Sequence, residues 1–157
     1  MEFHNIPPVY DSKSEILILG SFPSVKSREG GFFYHHPQNR FWKVISAIFK
    51  ADMPKNIEQK TQLLSANRIA LWDVIASCDI RGSSDSDITN ATPNDISKIM
   101  AYSNINKIFT NGLLAHRLYQ KHLNTKTGID DIALPSTSAA NASYSLERLV
   151  EKWRMSF

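Results

Sequence analysis

One cysteine, Cys78, stands in the 157 residues. A lone thiol forms no internal disulfide, no cysteine-ligated iron–sulfur cluster and no thiolate zinc cage. Long apolar runs are missing too, since nothing approaches the roughly 18 to 20 residues of a membrane span. The opening Met1-Glu2-Phe3-His4-Asn5 lacks the basic-then-apolar order of a secretory leader. These absences lead to the expectation of an intracellular, cytoplasmic protein with no membrane partner. Charge of one sign is in slight excess only, +3 at neutral pH with a pI near 9.0, which suits a polyanion without requiring one. The histidines and carboxylates show no metal-ligand spacing, and no nucleophilic triad is visible, so no metal or other cofactor is expected. Internal repeats and low-complexity segments are absent. What remains is an ordinary globular composition, 42% hydrophobic and 21% charged, and a length that fits a single domain over residues 1–157.

Within that chain, strand and helix patterns alternate. Residues 1–14, with Pro7-Pro8, read as an extended lead-in. Glu15 to Gly20 is a continuous apolar run ending in glycine, the pattern of a strand buried on both faces. A loop of unusual length follows. Arg40 to Lys50 then spaces Phe41, Val44, Ile45 and Ile48 as a helix does, and a second helix is expected over Ile57 to Asn67. The next strand is Ile69 to Ile75. Residues 77–93, rich in Ser, Asp, Gly and Asn, read as a loop, with a helix starting at Thr92-Pro93-Asn94-Asp95. Lys107 to Thr110 and Ile132 to Pro135 are strands, while Leu113 to Leu123 and Ser143 to Met155 are helices. Such alternation predicts βαβ units, hence an α/β fold of three αβα layers around a mainly parallel, four-stranded sheet. Ligands of such sheets bind beyond the carboxyl ends of the strands.

Three clusters fall at those ends. Gly20-Ser21-Phe22-Pro23-Ser24 has neither the glycine spacing of a dinucleotide fingerprint nor the lysine of a P-loop. Taken alone, it is equally well a tight turn. The second cluster runs from Gly30 to Lys43 and includes Phe32-Phe33-Tyr34-His35-His36-Pro37-Gln38-Asn39-Arg40. Three successive rings cannot all face inward, so at least one should line a cavity, where a ring can stack on a nucleobase. Asn39 fits two roles here, an N-cap or a group that handles water. The third cluster, Leu134-Pro135-Ser136-Thr137-Ser138-Ala139-Ala140-Asn141-Ala142, offers hydroxyl and backbone donors suited to phosphate. It reads equally as a serine-rich loop with Asn141 or Ser143 capping the last helix.

Together these clusters resemble the uracil-DNA glycosylase superfamily, and most closely its hypoxanthine-DNA (deoxyinosine) glycosylase branch. The resemblance covers nearly the whole chain. It rests on Gly20 to Ser24, on Tyr34 to Trp42, on Leu71-Trp72-Asp73-Val74, on Arg81-Gly82-Ser83 with Asp85, on Asn111-Gly112 and on Leu134 to Ser138. Two departures sharpen it. Most members keep Asp or Asn as the third residue of the first motif, where this chain has Phe22. Classical uracil enzymes place a histidine in the last motif at the position that matches Ser136. The branches with an iron–sulfur cluster need four cysteines.

The resemblance implies a monofunctional glycosylase of base excision repair that hydrolyses the N-glycosidic bond of deaminated bases in DNA, hypoxanthine first among them. The water-positioning role moves to Asn39, the asparagine of the second cluster. Ser21, Phe22, Tyr34, Asp73 and Asn111 are expected around the base, with Tyr34 stacked on it and Asp73 either accepting its ring N–H or fixing a loop. Ser136, Thr137, Ser138, Ala140 and Asn141 are expected against the DNA. Ala140 stands where related enzymes carry an intercalating wedge, so weak wedging follows. DNA containing a deaminated base is the implied partner of a monomeric, nucleoid-associated enzyme. Other readings stay open: a uracil or broad-specificity mismatch glycosylase, a non-catalytic nucleic-acid binder that kept the fold, or a nucleoside hydrolase acting on small molecules.

Overall fold

The computed structural model describes residues 1–80 and 88–157. Arg81-Gly82-Ser83 and Asp85, part of the resemblance, lie outside them. A two-residue strand β1 (Glu2–Phe3) precedes β2 (Ile16–Gly20), whose side chains alternate between two cores because successive strand residues point to opposite faces. Leu17 and Leu19 enter one core and Ile18 the other, all fully buried. β3 (Ile69–Asp73), β6 (Lys107–Asn111) and β7 (Asp131–Leu134) complete a four-stranded sheet in the order β3-β2-β6-β7, parallel throughout. Over the Ile18 face pack α2 (Phe41–Ile48), α3 (Ile57–Ala66) and α7 (Leu146–Ser156), contributing Phe41, Trp42, Leu64, Leu149 and Trp153 to one buried cluster. Over the opposite face lie α4 (Ser97–Tyr102) and α5 (Leu113–His122), with Ile99 and Tyr119. The three layers predicted from the alternation of elements are there.

Four expectations are corrected. The region 77–93 is not one loop. The chain breaks direction at Val74 and continues as β4 (Ile75–Ile80), which pairs antiparallel with β5 (Ile88–Pro93) and with β1, forming a second sheet of order β1-β4-β5. Among the described residues β5 lies at the edge of its sheet with Thr89, Asn90 and Thr92 exposed, so Thr, Asn and Pro, poor signals for a core strand, are tolerated there. The helix expected from Thr92-Pro93 accordingly starts later, at Ser97, whose N–H donates to the Asp95 side chain (2.9 Å). Third, the long loop after β2 contains α1 (Val25–Gly30), capped by Ser24 accepting from Ser27 N–H and closed by Gly31 at φ 74°. The left-handed conformation at Gly31 is the one glycine adopts without steric cost. The short α6 (Asn124–Thr127) was also unforeseen. The final helix is capped by Ser145, accepting from Arg148 N–H, rather than by Asn141 or Ser143. No helix among the described residues is long and apolar enough to cross a membrane.

Candidate active site

Four parallel strands end on one edge, and a cavity of about 700 Å³ opens beyond it. Its walls come from the carboxyl end of each strand: Gly20 to Arg28 after β2, Asp73 at the end of β3, Asn111 at the end of β6 and Ser136 to Ala140 after β7. Phe33, Tyr34, His36, Gln38 and Asn39 close it from the second cluster. Ten of the eleven site residues expected from sequence therefore share this cavity; Asn141 does not line it.

Asn39 stands one residue before Arg40, the N-cap position of α2, and both receives the helix's first N–H and lines the cavity. Its Oδ1 accepts the backbone N–H of Phe41 (2.9 Å) and the hydroxyl of Thr137 (2.9 Å). The direction of this chain of hydrogen bonds is fixed by backbone donors at both ends. Thr137 N–H donates to Asn111 Oδ1 (3.0 Å), so Asn111 turns its Nδ2 to the Thr137 hydroxyl (3.0 Å). Receiving that donor, the hydroxyl has one proton to give and gives it to Asn39. With Oδ1 engaged twice, the end of Asn39 available to the cavity is its NH₂, a donor. Thr137 is fully buried. Expected against phosphate, it spends both of its protons inside the protein, and its place is behind Asn39.

Arg40 holds the loop that carries Thr137. Its guanidinium donates to the carbonyls of Thr137 (3.4 Å), Ser138 (2.9 Å), Asn141 (3.1 Å) and Tyr144, and its own N–H donates to Thr137 O (3.0 Å). Five planar donors are what gathering several carbonyls requires. Asn141, expected against the DNA, assists from within the loop, donating from Nδ2 to Ser136 O (3.0 Å). The Ser136 and Ser138 hydroxyls accept from the N–H groups of Ser138 and Ala140. Each keeps a proton to donate outward.

Tyr34 closes the other side. It has φ 53°, an uncommon conformation for a bulky residue, costing on the order of 1–3 kcal/mol. Its surroundings impose it: Trp42 Nε1 donates to Phe33 O (3.1 Å) and His35 N–H to Ser27 Oγ (3.1 Å), pinning both neighbours. The Tyr34 ring stacks on Phe41 at 4.2 Å between centroids, while Phe32 and Phe33 are buried. Gly20 faces this corner. A Cβ there would lie 2.9 Å from Tyr34 Oη and closer still to Asp73 Oδ1, so only glycine lets the strand end approach both. Asp73 is buried, and its Oδ2 receives Nε2 of His4 (2.8 Å).

The model of the uracil DNA glycosylase superfamily matches residues 7–155. The chain belongs to this superfamily. Among its relatives is a hypoxanthine DNA glycosylase of Methanosarcina acetivorans, 37% identical over 153 residues that cover 96% of this chain and 95% of the relative. Another, from Methanosarcina barkeri, is 33% identical over 160 residues, covering 100% and 99%. The solution NMR structure of a Methanosarcina acetivorans protein, described as a candidate uracil DNA glycosylase, superposes with a TM-score of 0.84 at 34% identity, covering 99% of this chain and 96% of that one.

For this superfamily member, sequence reasoning missed two site residues. The sequence gives no sign of the task of Arg40, because its acceptors are carbonyls about a hundred residues away. His4 lies in the lead-in with no motif around it. The site's rim also carries Lys26 and Arg28, the latter 5.3 Å from the centroid of Phe22 and paired with Glu2 (2.7 Å).

Proposed function

We propose that this chain is a monofunctional DNA glycosylase that removes deaminated bases, hypoxanthine foremost, as a monomer acting on DNA in the cell's nucleoid. The observation that carries the reading is the held amide: Asn39 is locked through its oxygen and turned by its nitrogen to a cavity of nucleotide size. Cavities of this volume enclose small ligands. An enzyme working on a base must take it out of the stack, at a cost of a few kcal/mol that is least for a mispaired base. Hypoxanthine opposite thymine meets that condition.

Tyr34 stacks on the extruded base with Phe41 behind it. Asn39 donates from Nδ2 to one lone pair of a water, which leaves the other lone pair aimed at the anomeric carbon. The glycosidic bond breaks with its electron pair leaving on the base, the water's oxygen bonds to the sugar carbon, and one proton from that water offsets the charge on the departing base. An amide is no strong base, so placement of the water carries much of the rate. Backbone N–H groups of Ser21 and Phe22 meet charge that develops on the base. Asp73 accepts the ring N–H that hypoxanthine and uracil possess and adenine lacks; two facing acceptors repel. Ser136 and Ser138 donate to flanking phosphates, and Ala140, small, approaches the vacated gap. Support for hypoxanthine over uracil comes from the names of the two Methanosarcina relatives.

The test is release of free base from oligonucleotides that differ only in one residue: deoxyinosine, deoxyuridine, deoxyxanthosine or deoxyadenosine. Alkali-labile sites are expected first at inosine and not at adenine. Their failure to form at any deaminated base contradicts the reading.

A further inference from the structure

The four residues that open the chain place a histidine directly behind the cavity wall. His4 and Asp73 are both buried, with 3% and 5% of their side chains exposed, and their Nε2 and Oδ2 stand 2.8 Å apart. The tautomer is fixed by the backbone. Ile6 N–H donates to His4 Nδ1 (3.2 Å), so that nitrogen carries a lone pair and the ring proton sits on Nε2, pointing at Asp73. The segment itself is held at three points. His4 N–H donates to Ala76 O (2.7 Å), Trp72 Nε1 donates to Ile6 O (3.1 Å), and the imidazole sits among the rings of Phe22, Phe33 and Trp72 at 5.9–6.1 Å. A donor so fixed, in a water-excluding box, holds its acceptor in one orientation.

That orientation matters because of what the other carboxyl oxygen faces. Oδ2 is committed to His4, and Oδ1 lies on the Gly20 and Tyr34 side, where Asp73 forms part of the cavity wall. We propose that His4 is a positioning residue for base recognition: its Nε2–H holds the Asp73 carboxyl so that Oδ1 meets the ring N–H of hypoxanthine or uracil. The proposal rests on the reading of Asp73 as the group that faces the base. His4 itself lies outside the cavity lining and touches no substrate. Removing its donor lets the carboxyl rotate and accept from other groups, which blurs the distinction between a base with a ring N–H and one without.

The experiment compares single-turnover excision of hypoxanthine and 1-methylhypoxanthine from otherwise identical oligonucleotides. The methyl replaces the N–H and leaves the rest of the base unchanged. Wild type should prefer hypoxanthine, and His4→Leu should lower the ratio of the two rates by about ten-fold, the scale of one hydrogen bond to a charged group. His4→Gln, which puts an amide N–H at the reach of Nε2, should keep a ratio close to wild type, and His4→Asn, whose amide falls short, should not. Should His4→Leu fail to fold, the Gln and Asn variants decide. Equal losses on both bases, or equal ratios for Gln and Asn, would mean that His4 only supports the fold and would overturn the proposal. Asp73→Asn with the wild-type ratio would instead remove its premise. Wild type releasing no hypoxanthine would overturn the glycosylase reading and the proposal with it.

Discussion

Thr137 illustrates how much one buried hydroxyl can decide. Expected from sequence to grip phosphate, it is fully buried and hands its only proton to Asn39. Thr137→Val preserves the shape and removes that link, leaving Oδ1 with the Phe41 N–H alone. A neutral hydrogen bond contributes roughly 0.5–1.5 kcal/mol, so the rate of base release should fall up to about ten-fold while DNA affinity stays near wild type. Thr137→Ser, which keeps the hydroxyl, should recover most of the rate; single-turnover kinetics beside a binding titration separate the two. What sequence shows at this scale is residue type and position. It located Asn39, Tyr34, Asp73 and Asn111 by the motifs around them. It did not reveal that the Asn39 oxygen is engaged by Thr137, which lies 98 positions away.

Elements were legible where burial dictates composition. The β2 run and the spacing of Phe41, Val44, Ile45 and Ile48 gave the central strand and α2 to within two residues at either end. The β4–β5 pair was not legible, because an edge strand needs no apolar alternation, and Ser77 and Asp79 of β4 with Asn90 of β5 read as loop. Helix α1 had left signals, Ser24 as N-cap and Gly31 as the left-handed terminator, but six residues are too few for periodicity to register. At this scale Arg40 joins α2 to the loop between β7 and α7. Arg40→Ala frees the carbonyls of Thr137, Ser138, Asn141 and Tyr144 together. Loss of charge-assisted hydrogen bonds in a half-buried place should cost about 2–3 kcal/mol of stability, measured by denaturant unfolding. DNA affinity should fall as well, since Ser136 and Ser138 lose their frame. Wild-type unfolding with wild-type affinity would refute that role.

Across the whole molecule, acid sensitivity follows from a carboxyl far from the cavity's chemistry. Burial pushes Asp131 up, but hydrogen bonds from Thr110, His116 and Gln120 outweigh it and hold the carboxyl below its ordinary value of 3.8. A group depressed on folding adds stability that is present above its unfolded value and lost as pH falls through the folded one. The midpoint of thermal unfolding should thus hold steady above about pH 5 and decline below about pH 4, and Asp131→Asn should flatten that decline. An unchanged acid slope in the variant would show that other carboxyls, such as Asp11, held low by Ser65, account for it. The net charge of +3 suits a polyanion without requiring one, and the proposed chemistry rests on a few aligned groups at one edge of the sheet.

Water placement in the proposed reaction rests on the Asn39 amide, and the most direct measurement is the single-turnover rate of hypoxanthine release by Asn39→Ala with saturating enzyme. Loss of the group that places the water should slow release by about 100-fold or more while DNA binding remains. Release by Asn39→Ala at the wild-type rate would contradict it.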